Sequence, residues 1–287
     1  MLKGTARHFI PLFGTYLMYL NLLYLYLFDY ITGILYGILL ITLIMLNVIF
    51  LGLSVNVKSV NRSFVLASIF VFLILLYEYP LFFSDRSKTK NYLYIPTEEI
   101  VSNTNVYIIS IGTVELSEKG KVFMEDESNL LKVISINNFH RYTSKNRLLF
   151  EYFHIWKNQD IEMAENLEHY KNGTNTQIME YLSRNDVTGA SAGLALAISS
   201  LIKDSDLNNL IPVAVTGAID DKGNVLEIGL VREKIIIAAR DGHTHVIIPK
   251  GNLKEAQKAK EELGLSLTIY GVTSVEEAVN IIKKWNN

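Results

Sequence analysis

The sequence contains no cysteine, few prolines and no excess of positive charge. The lack of cysteine excludes disulfides, a thiolate nucleophile and a cysteine-ligated metal site, and it leaves the compartment open. Because 27 basic and 29 acidic residues give a formal net charge of −2, the composition does not favour nucleic-acid binding. No stretch matches Gly-x4-Gly-Lys-Ser/Thr, so the sequence also offers no P-loop for ATP.

Charge is missing from two long stretches near the N-terminus. Between residues 9 and 57 the only charged residue is Asp29, and between residues 63 and 84 it is Glu78. A helix that crosses a bilayer needs about 20 mostly apolar residues. Three segments satisfy this length, at about 9–28, 30–53 and 64–83. We therefore expect an all-α transmembrane region over 1–84 in a multi-pass protein of the cell membrane, with a buried helical domain of a soluble protein as the alternative.

The basic residues that flank these segments indicate an orientation. One side of the three spans carries Lys3, Arg7, Lys58 and Arg62. The other side carries Arg86, Lys88 and Lys90. Because basic residues accumulate on the cytoplasmic side, this count favours an internal N-terminus and an extracytoplasmic C-terminal region.

Glu78 lies near the end of the third predicted span and has two interpretations. It is either a functional acid within the membrane, or an interfacial residue beside Tyr77, Tyr79 and Pro80.

The remaining sequence has the charge content of an ordinary globular domain. Residues 85–104 are polar and are predicted as a linker, and residues 105–287 as a folded domain. The first part of that domain predicts strands at 105–116 and 121–124, either strand or helix within 129–158, and helix over 160–182 with an interruption near Gly173. Helices and strands then alternate, with helices at 189–202, 230–240, 253–263 and 274–285 and strands at 211–219, 224–228, 246–249 and 266–270.

Ser191 is the first candidate for chemistry, because it stands where an apolar, alanine-rich run begins. The string from Gly189 to Gly193 has the form Gly-x-Ser-x-Gly of the α/β-hydrolase nucleophile elbow. That motif needs a preceding strand and a later acid and histidine, and the short polar segment before Gly189 does not supply the strand. Taken alone, Ser191 is more typical of a helix N-cap or a close-packing residue.

Lys234 is the second candidate. On a helix its neighbours three and four residues away are all apolar, namely Leu230, Val231, Ile237 and Ala238. A lysine on such a stripe either extends its ammonium to water or, if buried, must lose its charge or find a partner. A serine nucleophile needs a base, so Ser191 and Lys234 together could form a Ser-Lys dyad.

The order of several motifs adds to this pair. They are Gly189-Ala190-Ser191-Ala192-Gly193, Val215-Thr216-Gly217-Ala218-Ile219, Gly223-x-Val225-Leu226-x-Ile228-Gly229, Arg232-Glu233-Lys234 and Val246-Ile247-Ile248-Pro249. In order and in serine-to-lysine spacing, the sequence over about 185–285 resembles the proteolytic domain of the Lon protease family.

This resemblance implies an α+β Lon-type proteolytic domain preceded by the all-α transmembrane region of three helices. It implies Ser191 as nucleophile and Lys234 as general base, with Thr216 orienting the lysine. Gly189 and Ala190 would support the loop at the serine, where backbone N–H groups would stabilise the oxyanion. It implies no metal and no cofactor, and it implies a homo-oligomer, because Lon-like domains often form hexameric rings.

Three positions depart from the family pattern. Thr188, Ala190 and Ala218 stand where aspartate, proline and glutamate are usual. Two functions therefore stay open: a membrane-anchored, ATP-independent serine endopeptidase acting on proteins or peptides, and a non-catalytic Lon-like scaffold that binds them. A channel or transporter subunit is a third hypothesis with little support, because three spans are few.

Overall fold

The computed structural model describes residues 2–53, 58–83, 89–116, 127–153, 159–171, 176–183, 190–205 and 207–286. Two compact units divide the chain. The first comprises Met1–Lys90, Glu115–Phe123 and Ile134–Trp156, and the second comprises Asn91–Val114, Met124–Val133 and Lys157–Asn287. The predicted strand at 121–124, the predicted interruption at Gly173, and Thr188 with Gly189 lie outside the described residues.

The first unit is helical. Its helices are α1 (Leu2–Leu27), α2 (Gly33–Leu53), α3 (Lys58–Glu78) with a 3₁₀ extension (Tyr79–Phe83), and α4 (Asn138–Tyr152). Three stretches of the unit are long and apolar enough to cross a membrane: Ile10–Leu27, Gly33–Leu53 and Val60–Phe83. The predicted region of three apolar helices is therefore confirmed.

A small core joins these helices. Tyr26 of α1 stacks on Tyr36 of α2 with ring centroids 4.9 Å apart, and both side chains are fully buried. Leu40, Val71 and Leu81 complete the centre of this core. Most other apolar side chains of α1–α3 point outward, as expected of helices whose solvent is lipid.

Glu78 is fully buried in this unit. Its Oε2 lies 3.0 Å from Nζ of Lys145 on α4, and its Oε1 accepts a hydrogen bond from the Tyr19 hydroxyl at 3.2 Å. Glu78 therefore bears a structural ion pair inside the unit, an arrangement that neither interpretation from the sequence included. The sequence left 129–158 undecided between strand and helix, so the partner lysine could not be anticipated.

The second unit contains most of the remaining elements; residues 89–90, 115–116 and 134–135, at the ends of three of its strands, fall in the first unit. Its strands are β1 (Thr89–Tyr94), β2 (Val106–Ile108), β3 (Ile111–Leu116), β4 (Leu130–Ser135), β5 (Val213–Val215), β6 (Ala218–Ile219), β7 (Val225–Leu226), β8 (His245–Pro249) and β9 (Thr268–Val272). Its helices are α5 (Gln159–Lys171), α6 (Thr176–Leu182), α7 (Gly193–Asp204), α8 (Val231–Arg240), α9 (Leu253–Leu263) and α10 (Val275–Trp285).

A four-stranded parallel sheet of order β2-β5-β8-β9 forms the centre of this unit. Successive side chains of a strand point to opposite faces. Val213 and Val215 accordingly pack in one core with α7 and α10, whereas Ala214 packs in a second core with α8 and α9. The sheet is covered by helices on both faces, which is the usual condition of a parallel sheet.

The predicted strand at 211–219 differs from the structure in a way that affects the site. It is two strands, β5 in the central sheet and β6 in an antiparallel pair with β7. Thr216 and Gly217 form the break between them. Helix α7 begins four residues later than predicted, at Gly193 after a 3₁₀ turn. The other C-terminal elements agree with the sequence within about two residues, and α9 agrees at both ends.

Candidate active site

Ser191 lies in a single 3₁₀ turn, Ala190–Ala192, that leads directly into α7. The first turn of α7 is buried, whereas Ser191 itself is half-buried. Ala190 packs against the core that contains α7. The serine thus stands where a buried helix begins at the surface, as the apolar run after it predicts.

The backbone of Ser191 is held by the segment between β5 and β6. Its carbonyl oxygen accepts the Gly217 N–H at 2.8 Å and the Thr216 hydroxyl at 3.2 Å. In return, the Gly217 carbonyl accepts the N–H of Leu194 at 2.9 Å. Three hydrogen bonds therefore fix the serine turn against this segment.

Two features hold the segment itself. The Thr216 N–H donates to the carbonyl of Ile247 in β8 at 3.1 Å, which ties it to the central sheet. A Cβ on Gly217 would lie 2.9 Å from Cδ2 and 3.2 Å from Cβ of Leu194, closer than ordinary contact. The close approach of the two segments therefore favours glycine at position 217, because a larger residue would displace the Leu194 side chain.

Lys234 lies on α8 and is only 5% exposed. Three of its four predicted apolar neighbours, Val231, Ile237 and Ala238, are buried around it. The fourth, Leu230, precedes the helix in a left-handed conformation and accepts the Lys234 N–H at 3.0 Å. The buried stripe predicted from the sequence is therefore present.

Burial lowers the pKa of Lys234 from its ordinary value of 10.5 to about 8. In the part of the chain that the structure describes, no carboxylate lies within ion-pair distance of its ammonium. The adjacent Glu233 pairs with Lys132 at 3.1 Å instead. Desolvation thus acts on Lys234 without compensation, and it favours the neutral amine that a general base requires.

The structure brings Ser191 and Thr216 together directly. Among the described residues, neither of them is hydrogen-bonded to Lys234. The Thr216 hydroxyl holds the serine backbone, and its expected role in orienting Lys234 stays a prediction.

Two further residues support the site, and the sequence does not predict their roles. Gly217 lies within the motif Val215-Thr216-Gly217-Ala218-Ile219, but the motif does not indicate that it holds Ser191. Asn252, which is buried, accepts the Ile228 N–H at 2.9 Å and donates to the Ile228 carbonyl at 3.1 Å, so it fixes the segment that enters α8. Nothing in the sequence around Asn252 indicates this contact, because its partner lies 24 residues away.

One of the two histidines that follow Ser191 in the sequence, His243, has partners away from the serine. His243 Nε2 lies 2.8 Å from the Thr97 hydroxyl, and Asp241 accepts hydrogen bonds from Thr97 N and the Tyr94 hydroxyl. Burial lowers the pKa of His243 despite the nearby Asp241. No cluster of three or more potential metal ligands occurs within the described ranges.

The part of the chain that carries this site matches a serine peptidase family. Residues 183–284 match the family model of the Lon protease (S16) C-terminal proteolytic domain. The similar proteins include Lon protease 2 of Borreliella burgdorferi, 36% identical over 96 residues, and the Lon protease of Mycoplasma mycoides, 40% identical over 102 residues. Lon protease homolog 2, peroxisomal, of Caenorhabditis elegans is 36% identical over 94 residues.

These alignments cover 33%, 34% and 33% of this chain, respectively, and 12% of each relative. The C-terminal part of the chain is therefore a Lon-family proteolytic domain, as the motifs predict. The chain spans only a small part of the length of the relatives that it matches.

Proposed function

We propose that the protein is a membrane-anchored, ATP-independent serine endopeptidase in which Ser191 is the nucleophile and Lys234 the general base. The observation that carries the proposal is the burial of Lys234 on an apolar stripe of a Lon-family proteolytic domain. A lysine with a pKa near 8 is partly neutral at neutral pH, whereas an ordinary lysine is almost wholly charged.

The chemistry follows from these protonation states. The neutral Lys234 amine takes the Ser191 hydroxyl proton while Oγ attacks the carbonyl carbon of a peptide bond. The protonated lysine then gives that proton to the leaving amine, which departs and leaves an acyl-enzyme. Lys234, neutral again, takes a proton from the water that attacks the acyl group, and returns it to Ser191. The backbone N–H groups near Ala190 and Ser191 are the expected oxyanion donors, with Gly189 shaping the loop.

The anchoring part of the proposal is supported by the three apolar helices. We assign residues 1–84 to the anchor and 105–287 to the region that holds the proteolytic domain. Residues 85–104, expected as a linker, contain β1, and α4 packs with the anchor helices. ATP independence is supported by the lack of a P-loop pattern. The basic residues around the spans favour a proteolytic domain outside the cytoplasm.

A peptidase without an unfoldase acts on chains that are already accessible. We therefore propose flexible segments of proteins and small membrane-associated proteins as the substrates, and a homo-oligomer, of which the hexameric ring is the arrangement implied by the family. No nucleic-acid partner is proposed, because the net charge is −2.

A second candidate function is a non-catalytic scaffold that binds peptides. Two observations favour it: no hydrogen bond joins Ser191 to Lys234 among the described residues, and Ala190 and Ala218 replace the usual proline and glutamate. This candidate expects peptide binding that persists in a Ser191→Ala variant.

Acylation of the full-length protein by a fluorophosphonate or β-lactone probe tests the proposal. We expect labelling of the wild type that rises with pH through about 8, as Lys234 loses its proton. Ser191→Ala should abolish labelling and Lys234→Ala should reduce it strongly. The matched controls Ser205→Ala and Lys203→Ala change exposed residues of the same region and should label normally. Wild type that stays unlabelled from about pH 6 to 10, on either side of that pKa, would reject the dyad and favour the scaffold.

A further inference from the structure

Helix α4 buries polar and charged side chains and exposes phenylalanines, which is unusual for a helix on the surface of a soluble protein. Its exposed side also carries His140, Thr143, Ser144 and Asn146. Asn138, Arg141 and Lys145 are buried against the other helices of its unit, at 3%, 9% and 1% exposure. Phe139 and Phe150 are 55% and 41% exposed. A helix in water normally buries its apolar face and exposes its charged face.

The exposed phenylalanines lie on one stripe. With about 100° of rotation per residue, positions 139 and 150 differ by roughly 20° around the helix axis. Phe153, in the turn after α4, is 62% exposed and continues the stripe. Phe139 and Phe150 therefore face outward together, roughly 120–140° around the helix axis from Lys145, and Phe153 extends the exposed aromatic surface.

Hydrogen bonds fix where α4 lies along the helices α1–α3. The Asn138 side chain donates to the carbonyls of Tyr26 and Ile31 at 2.8 and 3.0 Å, and its N–H donates to Asp29 at 2.9 Å. These three acceptors are at the turn between the first two apolar helices. The start of α4 is therefore held at the level where those helices end.

The ion pair fixes the next turns of α4 to the end of α3. Lys145 pairs with Glu78, and its ammonium lies 3.6 Å and 3.8 Å from the ring centroids of Tyr142 and Tyr77. The Tyr77 hydroxyl also donates to Asn146 at 2.8 Å. Helix α4 thus bridges the ends of all three apolar helices.

Other exposed aromatic side chains occupy the same end of this unit. They are Phe28, Tyr30, Tyr79 and Phe83, with exposures of 62%, 68%, 52% and 68%. Aromatic residues concentrate at the two boundaries between a membrane and water. Together with Phe139, Phe150 and Phe153, these four residues give this end of the unit seven exposed aromatic side chains.

We propose that α4 is an interfacial helix whose phenylalanine stripe lies in the boundary between the lipid headgroups and the acyl chains. The occupant of this face is the bilayer that α1–α3 cross, because the hydrogen bonds place α4 at the ends of those helices. In that position the exposed phenylalanines are buried in lipid, so their outward orientation becomes favourable. The proposal relies on the membrane insertion put forward above and is independent of the Ser-Lys chemistry.

The lack of cysteine allows a direct test by single-cysteine labelling. Phe139→Cys and Phe150→Cys would each carry the environment-sensitive dye NBD in the full chain, reconstituted in phosphatidylcholine–phosphatidylglycerol vesicles. Nitroxide lipids labelled at the headgroup, at carbon 5 or at carbon 12 serve as quenchers of known depth. Leu73→Cys, on the outer face of α3, is the control for a span, and Leu210→Cys is the exposed control in the second unit.

We expect blue-shifted emission at positions 139 and 150, with at least about twofold stronger quenching by the shallow nitroxides than by the carbon-12 nitroxide. Quenching no greater than at position 210 would overturn the proposal. Blue-shifted emission without quenching would also overturn it, and would indicate that a protein or a second copy covers the stripe. Loss of carbon-12 quenching at position 73 would instead reject membrane insertion itself.

Discussion

The Gly217 N–H and the Ser191 carbonyl oxygen are joined at 2.8 Å, so the candidate nucleophile is positioned by a segment between two different sheets. The Gly217 carbonyl is joined to Leu194 in turn, at 2.9 Å. The serine turn and the segment from β5 to β6 therefore move together.

Gly217→Ala should impair both stability and peptidase activity. The added methyl would meet Leu194 at 2.9 Å, and overpacking of this kind costs about 1–3 kcal/mol. Thermal unfolding and probe acylation measure the two effects. Gly229→Ala is the control, since a Cβ there meets nothing within 4 Å. Equal unfolding temperatures and acylation rates in the two variants would mean that the close approach of Gly217 to Leu194 contributes to neither stability nor activity.

Thr216→Val should slow acylation of Ser191 by about three- to tenfold, which corresponds to the loss of one hydrogen bond of about 1 kcal/mol. The hydroxyl that donates to the Ser191 carbonyl is removed while the side-chain shape is kept. Thr216→Ser keeps the hydroxyl and should retain most of the rate. A slow serine variant beside a valine variant that keeps the wild-type rate would show that the site needs the threonine methyl rather than its hydroxyl.

Lys234→Met should stabilise the fold near pH 7 although it removes the proposed base. Burial lowers the pKa of Lys234 from 10.5 to about 8, so the folded state binds fewer protons than the unfolded state between these values. The stability of the wild type therefore rises with pH from about 8 to 10.5, and below pH 8 it bears the whole cost of the buried charge, roughly 3 kcal/mol.

The stabilisation of Lys234→Met should consequently be largest below pH 8 and vanish near pH 10.5. Thermal unfolding of both proteins at several pH values measures this difference. A pH-independent difference would show that Lys234 has no altered pKa. Lys203→Met, at an exposed position, should show neither effect.

Breaking the Glu78–Lys145 pair on one side should cost more than removing it altogether. Glu78→Gln or Lys145→Met leaves one buried group without its partner, which typically costs about 3–5 kcal/mol. The double variant should recover a large part of this loss. Thermal unfolding in detergent micelles, arranged as a double-mutant cycle, measures the coupling, and strictly additive effects would contradict a direct interaction.

Much of the C-terminal fold could be predicted because local residues end its elements. Gly242 and Gly264 follow helices with φ of +79° and +63°, a conformation that glycine adopts at little cost. Ser274 caps α10 by accepting the Glu277 N–H, as the capping-box spacing predicts. The Glu277 carboxylate, however, accepts the N–H of Thr273 rather than that of Ser274.

The features that the sequence did not reveal depend on distant partners. The break at Thr216 and Gly217 has only the glycine as a local signal, and it is set by hydrogen bonds to Ser191 and Leu194. The pattern of α4 was ambiguous because Arg141 and Lys145 face inward whereas Phe139 and Phe150 face outward. That pattern is interpretable only once the neighbouring helices are known to be apolar on their outer surfaces.

The separation of Glu78 and Lys145 along the chain has a consequence for biosynthesis. Lys145 is made 67 residues after Glu78, which at about 5–20 residues per second is a delay of roughly 3–13 s. During that interval α1–α3 have emerged while the carboxyl group of Glu78 has no lysine beside it. Until α4 has been made, Glu78 has only the Tyr19 hydroxyl of its two partners in the folded unit, so the ion pair that docks α4 is the last of these contacts to form.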